Sequence, residues 1–492
     1  YVTGPEAKEG TQLPEGKDLL AAIDAKEKAE IKPYEEKAVA TNLLNSAPKA
    51  GKVVAKTKNT VLGTTELKLS NGVTVTLKST DFKNDQILMG ASRPGGKNNY
   101  GLADKYNAEY AVQLVTTMGV GEFSPTDLRK ALAGKTVNVN PNFSAISEGV
   151  RGSSSVKDLE SMFQLTYLYF TAPRKDTALF RSYIQRNKSQ YANISANPQA
   201  VFIDTMYKTM FNNNPLAPIT VPNSKFFDEV DLDRSLAIYK ERFGDVNGMN
   251  FAFVGSFKEE EIIPYIEKYI ASLPATTKKF SFVDNKVRPV SGKQQLNVNK
   301  GKEEKSLILA FYSGEMPYSE DMDLKAQALS EVLNIRIIEE LREKVQGIYG
   351  GGTFAGIEKY PYTNYNFVLQ LPCGPEKVDT LLKAVRKEFA DIAAKGPDTS
   401  YLNKVKTQWI EQNKVKKKEN GTWLDALLDI KFKGDSPDRF VNAEKYIRSL
   451  TTKDIQQVAK IILDGKNQFY AVQMPENYTG KTPGGETPKK GF

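Results

Sequence analysis

The order of strand and helix patterns occurs twice along the chain, at an offset of roughly 220 residues. A strand pattern at 87–91 and a helix pattern at 103–115 are followed by similar patterns at 307–311 and 323–343. Single residues match at the same offset, which pairs Val156 with Val378, Pro173 with Pro397 and Phe251 with Phe469. The pattern indicates an internal duplication, so both copies should share one topology.

Each copy is predicted to be an α+β unit, with a mixed, mostly antiparallel sheet and helices packed on one face. Asn71-Gly72 between two alternating runs is a strong hairpin signal. We predict a partly helical linker at 1–60, a first repeat at 61–275, a second repeat at 276–476 and a flexible tail at 477–492. Because the chain starts at Tyr1 rather than Met, we interpret it as a processed or excised piece.

The absence of histidine from all 492 residues excludes several kinds of site. A Ser-His-Asp triad, a Cys-His pair and a zinc site with histidine ligands all need that side chain. The single cysteine, Cys373, cannot form an internal disulfide and follows a strand pattern, so we expect a small buried hydrophobe. We therefore predict no metal or other cofactor in this chain.

The net charge of +9, from 68 basic and 59 acidic residues, comes from lysines scattered along the chain. Only 414–418 form a cluster, which we interpret as a solvated helix face. This distribution argues against a nucleic-acid partner. No apolar run approaches the ~20 residues that a transmembrane helix needs, so we predict no integral membrane segment.

The stretch 322–353 combines a long amphipathic helix, a sharp stop and the start of a strand. Arg342 and Tyr349 lie on either side of the stop, followed by Gly350, Gly351 and Gly352. A guanidinium and a phenol could hold a peptide carbonyl or its oxyanion, and the glycines could form an edge where a peptide adds as a strand. Alternatively, Arg342 pairs with Glu339, Tyr349 fills a strand and the glycines serve only tight packing.

Three motifs, in the same order, resemble the C-terminal half of bacterial pitrilysin-type zinc metallopeptidases, the inverzincins. They lie at 341–349, at 147–174 and at 419–424. The resemblance covers about 63–475. It implies that Arg342 and Tyr349 contact substrate, beside the edge predicted at Gly350–Gly352, while a separate N-terminal half with the His-x-x-Glu-His motif brings zinc.

The resemblance further implies that the helix pattern at 103–115 stands where active units carry that motif. Here it offers only Glu109, and Gln185 and Gln190 occur where a further Glu ligand would be expected. The implied partners are the catalytic half, in the same precursor or as a partner subunit, and unfolded peptides. The implied location is the periplasm or cell envelope. The alternative is a non-enzymatic binding or assembly protein on the same fold, comparable to the core subunits of respiratory complex III.

Overall fold

The computed structural model describes residues 13–28, 42–337, 339, 341, 348 and 350–479. The chain divides into two compact units, 1–40 and 41–492. The first unit contains helix α1 (Gly16–Glu27), none of whose residues is buried. The predicted tail lies outside the described residues from 480 onward, and its flexibility stays a prediction.

The first repeat forms a seven-stranded sheet in the order β1-β2-β3-β7-β4-β6-β5. Its strands are β1 (Val53–Asn59), β2 (Thr64–Leu69), β3 (Thr74–Ser79), β4 (Ile87–Pro94), β5 (Val137–Phe143), β6 (Ser147–Ser154) and β7 (Asn250–Gly255). Its helices are α2 (Lys105–Met118), α3 (Pro125–Ala131), α4 (Leu159–Thr171), α5 (Thr177–Tyr191), α6 (Pro198–Met210), α7 (Leu232–Phe243) and α8 (Glu259–Tyr265), which continues into a π-helical turn at Ile266–Ile270.

The second repeat forms a five-stranded sheet in the order β8-β12-β9-β11-β10. Its strands are β8 (Lys293–Asn299), β9 (Ser306–Glu315), β10 (Gly352–Glu358), β11 (Asn364–Cys373) and β12 (Gln468–Met474). Its helices are α9 (Glu320–Ile337), α10 (Val378–Lys395), α11 (Thr399–Lys416), α12 (Asn420–Lys433), α13 (Pro437–Val441), α14 (Ala443–Ser449) and α15 (Thr452–Ile462).

The two sheets share one topology, because β8-β12-β9-β11-β10 matches β3-β7-β4-β6-β5 strand for strand. Even the single parallel pair of each sheet is equivalent, β3 with β7 and β8 with β12. The predicted α+β class and the duplication are confirmed. The pairing of Phe251 with Phe469 is wrong by one residue. Phe251 contacts Phe170 on the face of its own helices, and the residue on that face of β12 is Tyr470.

A helix from the opposite repeat covers the second face of each sheet. Helix α6 packs Phe202, Met206 and Met210 onto the second sheet, whose own helices cover the other face. Helix α12 packs onto the first sheet at Ala252 and Val254 in the same way. The prediction of helices on one face therefore describes only each repeat's own helices.

The predicted linker at 1–60 is too long, because β1 pairs with β2 in antiparallel register. Most of β1 is exposed on both faces, and its sequence does not show the alternation of apolar and polar residues that would predict a strand. Backbone pairing holds it instead, together with an ion pair from Lys56 to Glu259 at 2.6 Å.

Cys373 is free and 1% exposed, and burial raises the pKa of its thiol to about 12. The expectation of a small buried hydrophobe is confirmed. None of the described helices is both long and apolar enough to cross a membrane.

Candidate functional site

The predicted substrate-contact residues belong to the passage from α9 to β10 in the second repeat. Arg342 and Tyr349 lie outside the described residues, so their roles stay predictions. Ile348 is 8% exposed and forms a β-bridge with Cys373. This bridge brings the chain back onto the sheet one residue before Tyr349.

The polar side of the end of α9 is tied to the two helices that follow β11. Arg336 donates from Nε to the carboxylate of Glu388 at 2.7 Å, and Glu388 is only 6% exposed. Glu339 accepts from the Tyr401 hydroxyl at 2.5 Å and lies 3.5 Å from the Lys404 ammonium. These contacts fix the helix end immediately before the Arg342 position.

The three glycines have different surroundings. A Cβ built at Gly350 meets no described atom within 4 Å, whereas one at Gly351 would lie 2.3 Å from the carbonyl oxygen of Gln370. Gly351 also has φ +119°, a conformation that favours glycine. A Cβ at Gly352 would lie 2.9 Å from Asn334 Oδ1. Tight packing therefore explains Gly351 and Gly352, but it does not explain Gly350.

Strand β10 lies at the edge of its sheet, yet α9 covers most of that edge. The Thr353 N–H donates to Asn334 Oδ1, and the Asn334 amide donates back to the Thr353 carbonyl at 3.2 Å. The Ile357 N–H donates to Asp323 Oδ1 at 2.9 Å, and burial raises the pKa of that carboxyl. Ala355, between them, is 1% exposed. Because Asn334 and Asp323 occupy backbone groups near both ends of β10, a peptide can add only to the residues that precede the strand, Gly350 and Gly351.

Phe354 is a large exposed apolar side chain near the start of β10. It is 64% exposed and lies on the face opposite to Ala355 and Ile357, which pack into the core. Gly350 and Gly351 precede it along the chain. Together they form a short accessible edge, which we call the glycine edge (350–354).

The helix that the resemblance equates with the metal-binding helix, α2, has no donor set that fits zinc. Its Glu109 is paired with Lys97 at 2.9 Å, and the chain contains no histidine. Gln185 and Gln190 lie on α5. Within the described ranges, no group of three or more His, Cys, Asp and Glu side chains could hold a metal ion. A single carboxylate that is already paired with a lysine does not make a zinc site on α2.

A buried ion triad, which the sequence did not predict, is centred on Glu148, a residue of the motif at 147–174. Glu148 accepts from Arg93 Nε and from Arg242 Nε, each at 2.8 Å, and its side chain is fully buried. Arg93 also donates to the carbonyl oxygens of Asp245 and Asn247 at 2.8 and 2.7 Å. The sequence did contain a signal for this triad. Glu148 is a charged residue at a position of strand β6 where the alternation of side chains faces the core.

The third motif, at 419–424, begins helix α12 and joins the repeats. Asn420 is 1% exposed, accepts from the Thr80 hydroxyl at 2.6 Å and donates to Gln86 at 3.1 Å. Trp423 donates to the Lys417 carbonyl at 2.9 Å. These contacts account for the motif as a junction between α12 and the first sheet.

A family model and a curated relative both match this chain, and both concern zinc proteases or the M16 peptidase family. Residues 229–409 match the family model described as the Peptidase M16 inactive domain. The chain is 22% identical over 423 residues to the probable zinc protease PqqL of Haemophilus influenzae, and the match covers 84% of this chain and 44% of that protein.

Two solved structures share the fold. One is the periplasmic protease PqqL from Escherichia coli, with a TM-score of 0.78 and 17% identity over 94% of this chain and 51% of that one. The other is the ferredoxin protease FusC in complex with Arabidopsis ferredoxin, with a TM-score of 0.78 and 18% identity over 95% and 51%. The chain thus spans about half the length of the relatives that it matches.

Proposed function

We infer, for a chain that is homologous to zinc proteases and carries the inactive domain of their M16 family, that it works as the non-catalytic half of a zinc metalloendopeptidase. In this role it binds unfolded peptide and orients the backbone for hydrolysis by a separate half with a His-x-x-Glu-His motif. That half, in the same polypeptide or in a partner subunit, supplies the zinc and the metal-bound water.

One observation carries this proposal: the chain retains the protease fold while α2, in the position of the metal-binding helix, lacks a zinc donor set. Glu109 is paired with Lys97 and no histidine is available. A chain of this kind can contribute binding and orientation, while its described residues form no zinc site that would activate water.

The substrate contacts are assigned to the glycine edge and to Arg342 and Tyr349. The glycine edge offers open backbone at Gly350 and an apolar contact at Phe354. Arg342 would hold the peptide carbonyl through its fork of donors, and Tyr349 would donate its phenolic proton to the developing oxyanion. A periplasmic location is proposed because the Escherichia coli relative is described as a periplasmic protease.

Replacing Phe354 with alanine should weaken binding of an unfolded peptide by about five- to thirtyfold, as expected for an exposed aromatic that anchors a partner. Isothermal titration with a short blocked peptide of alternating valine and threonine measures this on the chain itself. Val415→Ala is the matched control, because Val415 is 63% exposed on α11, far along the chain from this edge.

The control should bind the peptide as the unmodified chain does. If Phe354→Ala and Val415→Ala bind equally well, the glycine edge is not the peptide site. If the unmodified chain binds no peptide, substrate binding by this half is refuted.

A further inference from the structure

A pocket of about 520 Å³ lies in the first repeat, where the start of α2 meets α6 and the loop between α6 and α7. This volume is within the range of about 300–1,000 Å³ that is usual for small-ligand sites. Lys105, the first residue of α2, lines the pocket, which we call the Lys105 pocket. The rest of its lining is largely apolar or aromatic and includes Tyr106, Ile194, Val201, Ile219, Val221 and Phe226.

The loop that follows α6 is held by local hydrogen bonds and by its asparagines. Asn212 and Asn213 have φ of +49° and +52°, a left-handed conformation that asparagine adopts more readily than most residues. Asn214 accepts at its side-chain oxygen from the Leu216 N–H and at its carbonyl oxygen from the Ala217 N–H, each at 2.9 Å. The wall of the pocket is therefore formed before a ligand binds, which lowers the entropy cost of binding.

Lys105 brings a positive charge to the pocket and has a proton left to donate. Its ammonium donates to the carbonyl oxygens of Pro215 at 2.6 Å and Ala217 at 3.1 Å, which uses two of its three protons. Burial lowers the pKa of this ammonium, and the charge of Glu109 opposes that effect only in part. Glu109 itself is paired with Lys97 at 2.9 Å. An anion in the pocket would therefore compensate a charge that the chain leaves incompletely compensated.

The other charges of the lining cancel. Among the described lining residues Asp204 is the one carboxylate, and it lies 2.7 Å from Lys208, one turn further along α6. Glu229 acts on the hydroxyl of Tyr106 but does not line the pocket. The lining as a whole thus carries the single positive charge of Lys105, which suits a ligand with one carboxylate.

Open backbone lies beside this charge at 219–221. These three residues line the pocket and belong to no helix or strand. Within the part of the chain that the structure describes, their N–H and carbonyl groups form no backbone hydrogen bond. Such groups can pair with the N–H and carbonyl of a peptide unit, and a ligand without a peptide unit cannot use them in this way.

We propose that the Lys105 pocket binds the C-terminal end of a peptide whose last residue is apolar. The terminal carboxylate pairs with the Lys105 ammonium, and the last side chain packs against Ile194, Val201 and Phe226. The last peptide unit bonds to the backbone at 219–221. This proposal does not rest on the role of the chain in proteolysis, and the bound peptide need not be the one that is cleaved.

Isothermal titration on the whole chain tests the proposal. The probe is an acetylated tripeptide of two alanines and a terminal leucine with a free carboxylate, and the same peptide with an amidated C-terminus is the matched ligand. The amide should bind about ten- to a hundredfold more weakly, the usual effect of losing a charge-assisted hydrogen bond. Lys105→Met should weaken binding of the free-carboxylate peptide by a similar factor. Lys225→Met is the control with the same change of charge, because Lys225 is exposed near the pocket and does not line it.

Support requires that the free-carboxylate peptide binds, that the amide binds much more weakly, and that Lys225→Met has little effect. The comparison of acid and amide uses the unmodified chain, so it decides the matter even if thermal unfolding shows that Lys105→Met is destabilised. Equal binding of acid and amide, or no binding of either, would overturn the proposal. Equal losses in Lys105→Met and Lys225→Met would mean diffuse attraction and would overturn it as well.

Two further titrations identify the ligand and the surface. The free acid 4-methylpentanoate has a similar apolar body and a carboxylate but no peptide unit, so it should bind much more weakly than the peptide. Equal affinity would assign the pocket to free carboxylic acids and overturn the proposal. Phe354→Ala should leave binding of the free-carboxylate peptide unchanged, which separates this pocket from the glycine edge. A parallel loss in that variant would place the peptide at the glycine edge and contradict the assignment to the Lys105 pocket.

Discussion

Replacing Glu148 with alanine should lower the free energy of unfolding by about 3–5 kcal/mol, the usual cost of removing one partner from a buried ion pair. The loss leaves Arg93 and Arg242 facing each other in the interior without the carboxylate between them. The side chain of Arg93 is fully buried, and that of Arg242 is 7% exposed. The two guanidinium groups then repel each other without a carboxylate between them, and this repulsion destabilises the folded state.

Denaturant unfolding followed by circular dichroism measures this change. Glu109→Ala is the control, because it also removes a carboxylate paired with a cation, but one that is 27% exposed. That variant should lose no more than about 1 kcal/mol. If both variants lose a similar amount of unfolding free energy, the buried triad stabilises the first repeat no more than an exposed ion pair does.

Removal of the Arg342 side chain, or of the Tyr349 hydroxyl, should lower kcat by about 10²–10³ when the zinc-bearing half is present. A donor aimed at a developing oxyanion contributes about 3–4 kcal/mol to the transition state. Arg342→Ala and Tyr349→Phe are the variants, and steady-state hydrolysis of a quenched fluorescent peptide is the measurement. Lys344→Ala, two residues from Arg342, is the control and should keep the wild-type kcat and KM.

The two steady-state constants distinguish the possible roles of this pair. If Arg342 and Tyr349 only orient the substrate, KM rises while kcat stays nearly unchanged. If both variants retain the wild-type kcat and KM, the pair is structural. The assignment of substrate contact to Arg342 and Tyr349 would then be wrong.

The sequence was sufficient for the duplication, the α+β class and the family resemblance. Hydrophobic periodicity can be recognised within a short stretch of sequence. When the same order of patterns occurs twice, each copy supports the helix and strand predictions made for the other. The family resemblance drawn from the three motifs is confirmed by the match at 229–409 and by the homology to PqqL proteins. Asn71-Gly72 predicted the β2–β3 hairpin because its turn type demands such residues, and Gly72 has φ +85°.

What the sequence did not provide depends on contacts between distant residues. Helices α6 and α12 cover the sheet of the opposite repeat, and an apolar stripe does not specify which sheet it meets. The pairing of Asn334 and Asp323 with the β10 edge depends on how a helix lies beside a strand. Strand β1 is held by backbone pairing, which leaves little trace in its side chains.

Zinc content and peptidase activity of this chain on its own test the central claim most directly. After dialysis against a weak chelator, the chain should retain much less than one zinc per molecule. It should not hydrolyse a quenched fluorescent peptide, although it should bind the unfolded valine–threonine peptide. The physical reason is that α2 provides only Glu109, already paired with Lys97, where a zinc site needs several nitrogen or carboxylate ligands. One tightly held zinc per chain together with intrinsic hydrolysis would contradict the account.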